Sequence, residues 1–402
     1  MTSLIIPTII GVIAYILLYF MKWRHYQSAL LPDAHEAEIS TYASKVSIVI
    51  PSSNQAQELE QLITRLLEQT YTGGLEIVVV CYSTTDNTLD ILKKLEYDHR
   101  NIRHIIVPAS AHFIDIRKLA ITIGVKSVRT EWFALITPDF FPETNDWLAS
   151  LTKHIKGNYD LILAYENFRV CEHTIYPLQY ATHQGFIQSS YTHSSIPPCT
   201  CNFIIRKKAL ELTRLYNDVS LQYNLGSISK LISPLYAKKS KYICSHPDSI
   251  GRLHIQSHEA YALKKDKEAE AKILYKLEIK NTILKLLQST LIYIYGVMLL
   301  INGALFAMCL ATTFNIIHTP SEFYINTNIF SDINSILISG ISMILQMVAL
   351  AYPILILKKN LRHFKVDIPT FYLLILPITL PINGLFYKIK SLFSKNKYRR
   401  TL

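Results

Sequence analysis

The sequence predicts an α/β domain, built on a mostly parallel sheet with helices on both faces and flanked by transmembrane helices. Three observations lead there. Apolar runs of strand length alternate with helical patterns from Val46 to about Ala164. Those strand runs are predominantly apolar rather than alternating, as expected of strands covered on both faces. Long uncharged apolar stretches stand near both ends of the chain.

The elements follow in order. Val46 to Ile50 is rich in β-branched residues and reads as the first strand. Leu59, Leu62, Ile63, Leu66 and Leu67 then recur at helical spacing. Gly73-Gly74 makes a turn into a second strand, Leu75 to Val80. Thr85, Asp86 or Asn87 can cap the helix that continues through Leu89, Ile91 and Leu92. Ile102 to Val107 is a third strand, Ile114 to Val128 a helix, Trp132 to Ile136 a fourth strand and Leu161 to Ala164 a fifth. Asn202 to Ile205 reads as a sixth, before the helix-forming Lys207 to Leu212. The polar loops Pro51 to Asn54 and Cys81 to Asp86 close two strands and open two helices, and crevices at such strand ends are where α/β proteins bind ligands.

The ends of the chain read as membrane segments. Leu4 to Met21 is uncharged and is followed at once by Lys22 and Arg24. A cleaved signal would carry its charges before the apolar core, so this stretch reads as a retained anchor. Eighteen residues at a rise of 1.5 Å cover roughly 27 Å, enough for a bilayer core. Further spans are expected at 291–314 and 335–357, with a basic cluster (Lys358, Lys359, Arg362, Lys365) after the last and no Lys or Arg in the loop 315–334. That bias places the region 22–290 on the cytoplasmic side. The apolar run 371–386 is broken by Pro377 and Pro381, and a basic tail follows it. A re-entrant or interfacial segment keeps that tail inside; a fourth span exports it. The organisation expected is therefore an anchor at 1–24, a sheet domain at 40–265, an amphipathic linker helix at 266–290 and a C-terminal membrane region at 291–402.

The formal net charge is +11. Its basic residues cluster beside apolar segments, which fits anionic headgroups, and no nucleic-acid-binding signature accompanies them. Six cysteines give no disulfide framework, and Cys199 and Cys201 stand one residue closer than a zinc pair requires. The spans carry no charge that would mark a transported substrate's path.

Several motifs then occur together in order. Val46-Ser-Ile-Val-Ile-Pro51, Gln69-Thr70-Tyr71, Ser83-Thr-Thr-Asp-Asn-Thr88, Trp132 to Asp139, Cys201-Asn202-Phe-Ile-Ile-Arg206-Lys207, and Val107-Pro-Ala-Ser110 with Arg117-Lys118 resemble the family-2 glycosyltransferases of GT-A fold, in their membrane-anchored bacterial form. The resemblance covers roughly 40–265. It implies a multi-pass protein of the bacterial inner (cytoplasmic) membrane, moving a sugar from a nucleotide-sugar donor to a lipid-linked or envelope glycan acceptor, with Mg²⁺ or Mn²⁺ on the leaving diphosphate.

Carried onto this chain, the resemblance gives Pro51, Ser53, Asn54, Cys81, Tyr82, Ser83, Lys118, Asn202 and Arg206 as donor-side residues and Asp139 as the metal ligand. For Asp139 the alternative is a turn cap before Pro142. Acidic residues of the family are replaced at three places: by Cys81-Tyr82, by Thr137 in the metal motif, and by Gly226-Ser-Ile-Ser229 where the general base belongs. Substitute bases are Asp218, Glu259 and His258, with Glu166 and His254 behind them. These replacements leave a second expectation open: a degenerate domain kept as a binding or assembly subunit for a partner transferase.

Overall fold

The protein is described here by a computed structural model. The residues described are 2–18, 20, 44–108, 116–155, 159–169, 201–212, 240–254, 279–313 and 333–376, with positions 176, 179, 180, 182, 183, 186 and 187. The chain divides into two compact units. One comprises 1–28, 276–362 and 367–402; the other comprises 29–275 and the short piece 363–366.

Along the chain the elements are α1 (Thr2–Leu18), β1 (Val46–Ser52), α2 (Ala56–Leu67), β2 (Leu75–Cys81), α3 (Thr88–Asp98), β3 (Ile102–Ile106) and α4 (Ile116–Ser127). Then follow β4 (Trp132–Leu135), β5 (Phe140–Pro142), α5 (Trp147–Thr152), β6 (Leu161–Ala164), β7 (Glu166–Arg169), β8 (Phe203–Arg206) and α6 (Lys207–Leu212). The last are β9 (Lys241–Cys244), β10 (Gly251–His254), α7 (Ile279–Thr313) and α8 (Ile333–His363).

The larger sheet has seven strands in the order β3-β2-β1-β4-β8-β6-β9. Every residue of β1 is buried, and β2 is buried from its second residue onward, because helices cover both faces. The helix α2 turns Leu59, Leu62, Ile63 and Leu66 into this core, one stripe at helical spacing. Gly124 lets α4 lie directly on the sheet: a Cβ there would stand 2.5 Å from Val49 Cγ1 and 3.0 Å from Val80 Cγ2. The pairings β1–β2, β2–β3, β1–β4 and β6–β9 are parallel. The expected sixth strand, β8, runs antiparallel to both β4 and β6.

A second sheet was not expected from the sequence. Its order is β5-β10-β7, with β10 antiparallel to β5 and parallel to β7. Its strands are three or four residues long, too short for periodicity to register. Gly251 is required where it stands, since a Cβ would fall 2.2 Å from Phe140 Cε2.

In the other unit, Thr290–Met308 of α7 and Gly340–His363 of α8 are long and apolar enough to cross a membrane, and α1 carries a shorter apolar stretch, Ile9–Leu18. Ala14 and Leu18 of α1 pack on Leu291 and Tyr295 of α7. The Tyr295 hydroxyl donates to the Gln346 carbonyl of α8. Ile6, Ile9 and Val12 of α1, Leu300 of α7, and Leu345, Val348 and Leu355 of α8 are all exposed. Residues 370–376 form a short further helix, and the remainder of the expected 371–386 segment lies outside the described residues.

Candidate functional site

The strand order reverses at β1. The strands β2 and β3 continue to one side and β4 lies on the other, and an open α/β sheet leaves its crevice at such a switch point. Ser52 pairs with Cys81 and Val49 with Leu135, so the polar tips of β1, β2 and β4 leave the sheet from adjoining strands. Beyond the sheet proper, Ile136 N still donates to Val49 O at 3.0 Å.

The first two tips are tied to each other by specific bonds. Asn54 Oδ1 accepts from Thr85 N at 2.7 Å, from Asp86 N at 3.3 Å and from Thr85 Oγ1 at 3.2 Å. Ser53 Oγ donates to Ser83 O at 3.4 Å, and Tyr82 N donates to Ser52 O at 3.1 Å. Asn54 and Ser83 hold the left-handed conformation, with φ of 52° and 48°. Asn adopts it at low cost; for Ser it is a local strain that the tie must offset. Asn54 thus closes the loop with its side-chain oxygen.

Asp86 acts on two helices. Its Oδ2 accepts from Ala56 N at 3.2 Å at the start of α2, and its Oδ1 accepts from Thr88 N at 3.2 Å and Thr88 Oγ1 at 2.6 Å at the start of α3. A slight burial raises its pKa, but the bonds from Thr88 and Ala56 outweigh that and hold the carboxyl below its ordinary value. It serves as a cap, as the sequence allowed.

Cys81 does not take up a donor-side position with its side chain. The thiol is buried within the main core. Burial, helped by the nearby Asp86 charge, pushes its pKa up to about 11, so it stays neutral and unreactive. Pro51 is likewise buried at the end of β1. Tyr82 is half-buried and Ser83 exposed at the tip. Lys118 lies on α4, with its side chain outside the described atoms, and its neighbour Arg117 is exposed.

Asp139 is half-buried in the turn between β4 and β5. Its carbonyl accepts from His254 N at 2.7 Å, and the turn closes through Phe140 N to Thr137 O at 2.9 Å. The His254 ring meets the Phe141 ring edge-on at 5.5 Å. The Thr137 hydroxyl is buried and lies 3.4 Å from Cys201 Sγ, so it does not stand in for the missing acid. Among the described residues no three His, Cys, Asp or Glu side chains converge on one point. The donor set thus fits a divalent cation in one way only: Asp139 supplies one hard oxygen, and the remaining positions fall to diphosphate oxygens and water.

Two of the expected donor-side residues are engaged in contacts of the domain itself. Asn202 is fully buried and structural. Its Nδ2 donates to Tyr165 O at 2.6 Å and Ser249 O at 2.9 Å, and its Oδ1 accepts from Trp147 Nε1 at 2.9 Å. Arg206 pairs in register with Trp132, the first residue of β4, so it stands at the opposite end of that strand from the Thr137–Asp139 tip. There its guanidinium lies 4.9 Å over the Trp132 ring and pairs with Glu131 at 3.1 Å and Asp160 at 3.4 Å. Antiparallel β8 is the physical reason: its last residue meets the start of β4. Glu166 is also buried, its Oε2 accepting from Cys201 N at 2.8 Å. Asp218, His258, Glu259 and the segment 226–229 lie outside the described residues. The place of His254 beside Asp139 follows from the unforeseen small sheet, and no sequence signal announced it.

Residues 47–213 match the family profile described as glycosyl transferase family 2. Among solved structures, the chain is similar to the mannosyltransferase PcManGT from Pyrobaculum calidifontis in complex with GDP-Man and Mn²⁺. That match has a TM-score of 0.51 and 15% identity, over 85% of this chain and 99% of that one. It is also matched to S. aureus TarS 1-349 (TM-score 0.38, 14% identity, 89% of this chain and 92% of that one). A third match is glucosyl-3-phosphoglycerate synthase from Mycobacterium tuberculosis in complex with Mn²⁺, uridine diphosphate and glucosyl-3-phosphoglycerate (TM-score 0.36, 14% identity, 59% of this chain and 82% of that one). No curated protein matches the chain. At these identities the first likeness establishes the GT-A fold.

Proposed function

We propose, from the match of residues 47–213 to the profile of glycosyl transferase family 2, a membrane-bound glycosyltransferase that moves a sugar from a nucleotide-sugar donor to a lipid-linked or envelope glycan acceptor. The observation that carries the reading is the knitted pair of tips, Pro51 to Asn54 and Ser83 to Asp86, beside a strand end bearing Asp139. Among the described residues no hydrogen bond or ion pair engages the Asp139 carboxylate. A half-buried carboxylate at a strand end can offer a hard oxygen to a divalent cation.

The donor's base and ribose would lie along the first two tips, against Tyr82 and the loop backbone. PcManGT holds GDP-Man with Mn²⁺, and the same kind of donor is proposed here, with Mg²⁺ or Mn²⁺ held by Asp139. When bound, such a cation neutralises charge on the departing diphosphate. The acceptor hydroxyl attacks the anomeric carbon, the bond to the diphosphate breaks, and a base takes the hydroxyl proton. Asp218, Glu259 and His258 remain the proposed bases. The apolar α7 and α8 and the basic residues after position 357 support a place in the inner membrane, with the sheet domain on the cytoplasmic side.

A second reading has its own observation. The thiol of Cys81 sits in the core and the hydroxyl of Thr137 is engaged with Cys201, so two acidic positions have been replaced by structural groups. Each lost carboxylate removes a charge-assisted bond of about 1.5–3 kcal/mol. A domain in this state would serve as a binding or assembly subunit for a partner transferase.

Turnover separates the two. Purified protein in detergent is incubated with UDP- and GDP-sugars and Mn²⁺, and free nucleoside diphosphate is measured. Release that falls in Asp139→Ala supports the enzyme. Nucleotide binding without release across the panel supports the subunit.

A further inference from the structure

Residues 363–366 comprise the last residue of α8 and the three that follow it, yet they fold as part of the sheet unit. Phe364 is fully buried there. Its ring lies 4.4 Å from that of Tyr165 at 33°, with Phe186 edge-on at 5.3 Å and His183 edge-on at 5.7 Å. Polar contacts on both sides fix the backbone: His363 Nε2 lies 3.0 Å from Ser245 O, and Asn167 Nδ2 donates to Lys365 O at 3.4 Å. Lys365 is left-handed, with φ of 55°, and the residues on either side of it, Phe364 and Val366, are both buried.

Tyr165 connects this plug to the candidate site. It is the single residue between β6 and β7, and its carbonyl accepts from Asn202 Nδ2 at 2.6 Å and from Gly251 N at 3.1 Å. Gly251 begins β10, which pairs with β5 and, through His254 N, holds the Asp139 carbonyl at 2.7 Å. Ring packing of Phe364 on Tyr165 and then backbone hydrogen bonds from Gly251 to Tyr165 and from His254 to Asp139 link the plug to the turn that carries Asp139.

We propose that Phe364 is a positioning residue for Asp139: the piece of chain delivered by the end of α8 backs the small sheet and fixes the turn that presents the carboxylate. The significance of that turn rests on reading Asp139 as the donor-side acid. The site is then complete only in a chain that carries residues 363–366.

Hydrogen exchange of the full-length protein in detergent tests this. In Phe364→Ala, amides of Phe140, Phe141 and 251–254 exchange about tenfold faster or more, as a locally loosened unit does, while those of β1 and β2 keep their protection. Phe364→Leu retains most of the protection. Lys365→Pro displaces the same piece without hollowing the domain, because proline cannot adopt a positive φ, and it gives the same local pattern; it carries the test should Phe364→Ala fail to fold. Calorimetry with GDP-mannose or a UDP-sugar and Mn²⁺ shows weaker binding in both variants. Unchanged exchange at Phe140, Phe141 and 251–254 overturns the proposal, and so does a uniform loss of protection that includes β1 and β2, which would make Phe364 an ordinary core residue. A wild-type protein that binds no donor leaves the exchange result standing and counts against the donor reading instead.

Discussion

Replacing Asn202 by alanine separates a structural role from a sugar contact. Asn202 is fully buried and makes three hydrogen bonds to groups from separate parts of the domain. In Asn202→Ala, Tyr165 O keeps its bond from Gly251 N, while Trp147 Nε1 and Ser249 O lose the bonds Asn202 gives them. Each buried polar group left without a partner costs about 1–3 kcal/mol, so the expected loss is about 2–6 kcal/mol. For a domain of this size, 1 kcal/mol moves the midpoint by about 2–4 °C, which gives a fall of about 4–24 °C. Thermal unfolding followed by tryptophan fluorescence in detergent reads it directly, since Trp147 is one of the affected groups. A midpoint within about 1 °C of wild type, together with weakened donor binding, would refute the assignment and return Asn202 to the sugar.

Other outcomes follow from the same geometry. Arg206→Ala leaves donor affinity unchanged and costs about 1 kcal/mol, because its partners are partly exposed and its place is the far end of β4; a large loss of affinity would contradict that placement. Cys81 in the folded protein resists iodoacetamide at pH 8 and reacts only in urea, its pKa being pushed up to about 11 by burial; rapid native labelling would show an open thiol. Burial raises the pKa of Glu76, but bonds from Ser47 and Arg103 and the charges of Arg103 and Lys45 outweigh it and lower the pKa below the usual value. That stability is present above the unfolded carboxylate pKa of about 4.3 and is lost as pH falls through the lower folded value. Glu76→Gln should therefore lower the midpoint at pH 7 and flatten its fall on acidification; an unchanged acid limb would show the network to be inert.

The larger sheet was legible because its central strands are buried on both faces. Val46 to Ile50 and Leu75 to Val80 are apolar but for Ser47 and Glu76, Leu161 to Ala164 is apolar throughout, and α2 announces itself by the spacing of Leu59, Leu62, Ile63 and Leu66. The small sheet was not legible. Glu166-Asn-Phe-Arg169 and Gly251-Arg-Leu-His254 carry no alternation long enough to read, and their pairing joins segments far apart in sequence. The same limit explains the site. The loop ties of Asn54 and Asp86 lie in motifs that could be seen, but whether a side chain faces a ligand or a neighbouring backbone depends on tertiary contacts. Asn202 and Arg206 are expected at the donor through the resemblance of the Cys201–Lys207 motif, and the antiparallel course of β8 puts Arg206 beside Trp132, at the far end of β4 from Asp139.

The most direct measurement is calorimetric titration of the full-length protein in detergent with a panel of UDP- and GDP-sugars, with and without Mn²⁺, in wild type and Asp139→Asn. One donor should bind in a metal-dependent manner, and Asp139→Asn should weaken it by about tenfold or more, the worth of one charge-assisted contact. Silence across the whole panel, or a donor that binds Asp139→Asn as tightly as wild type with metal present, would contradict the cradle at the ends of β1, β2 and β4.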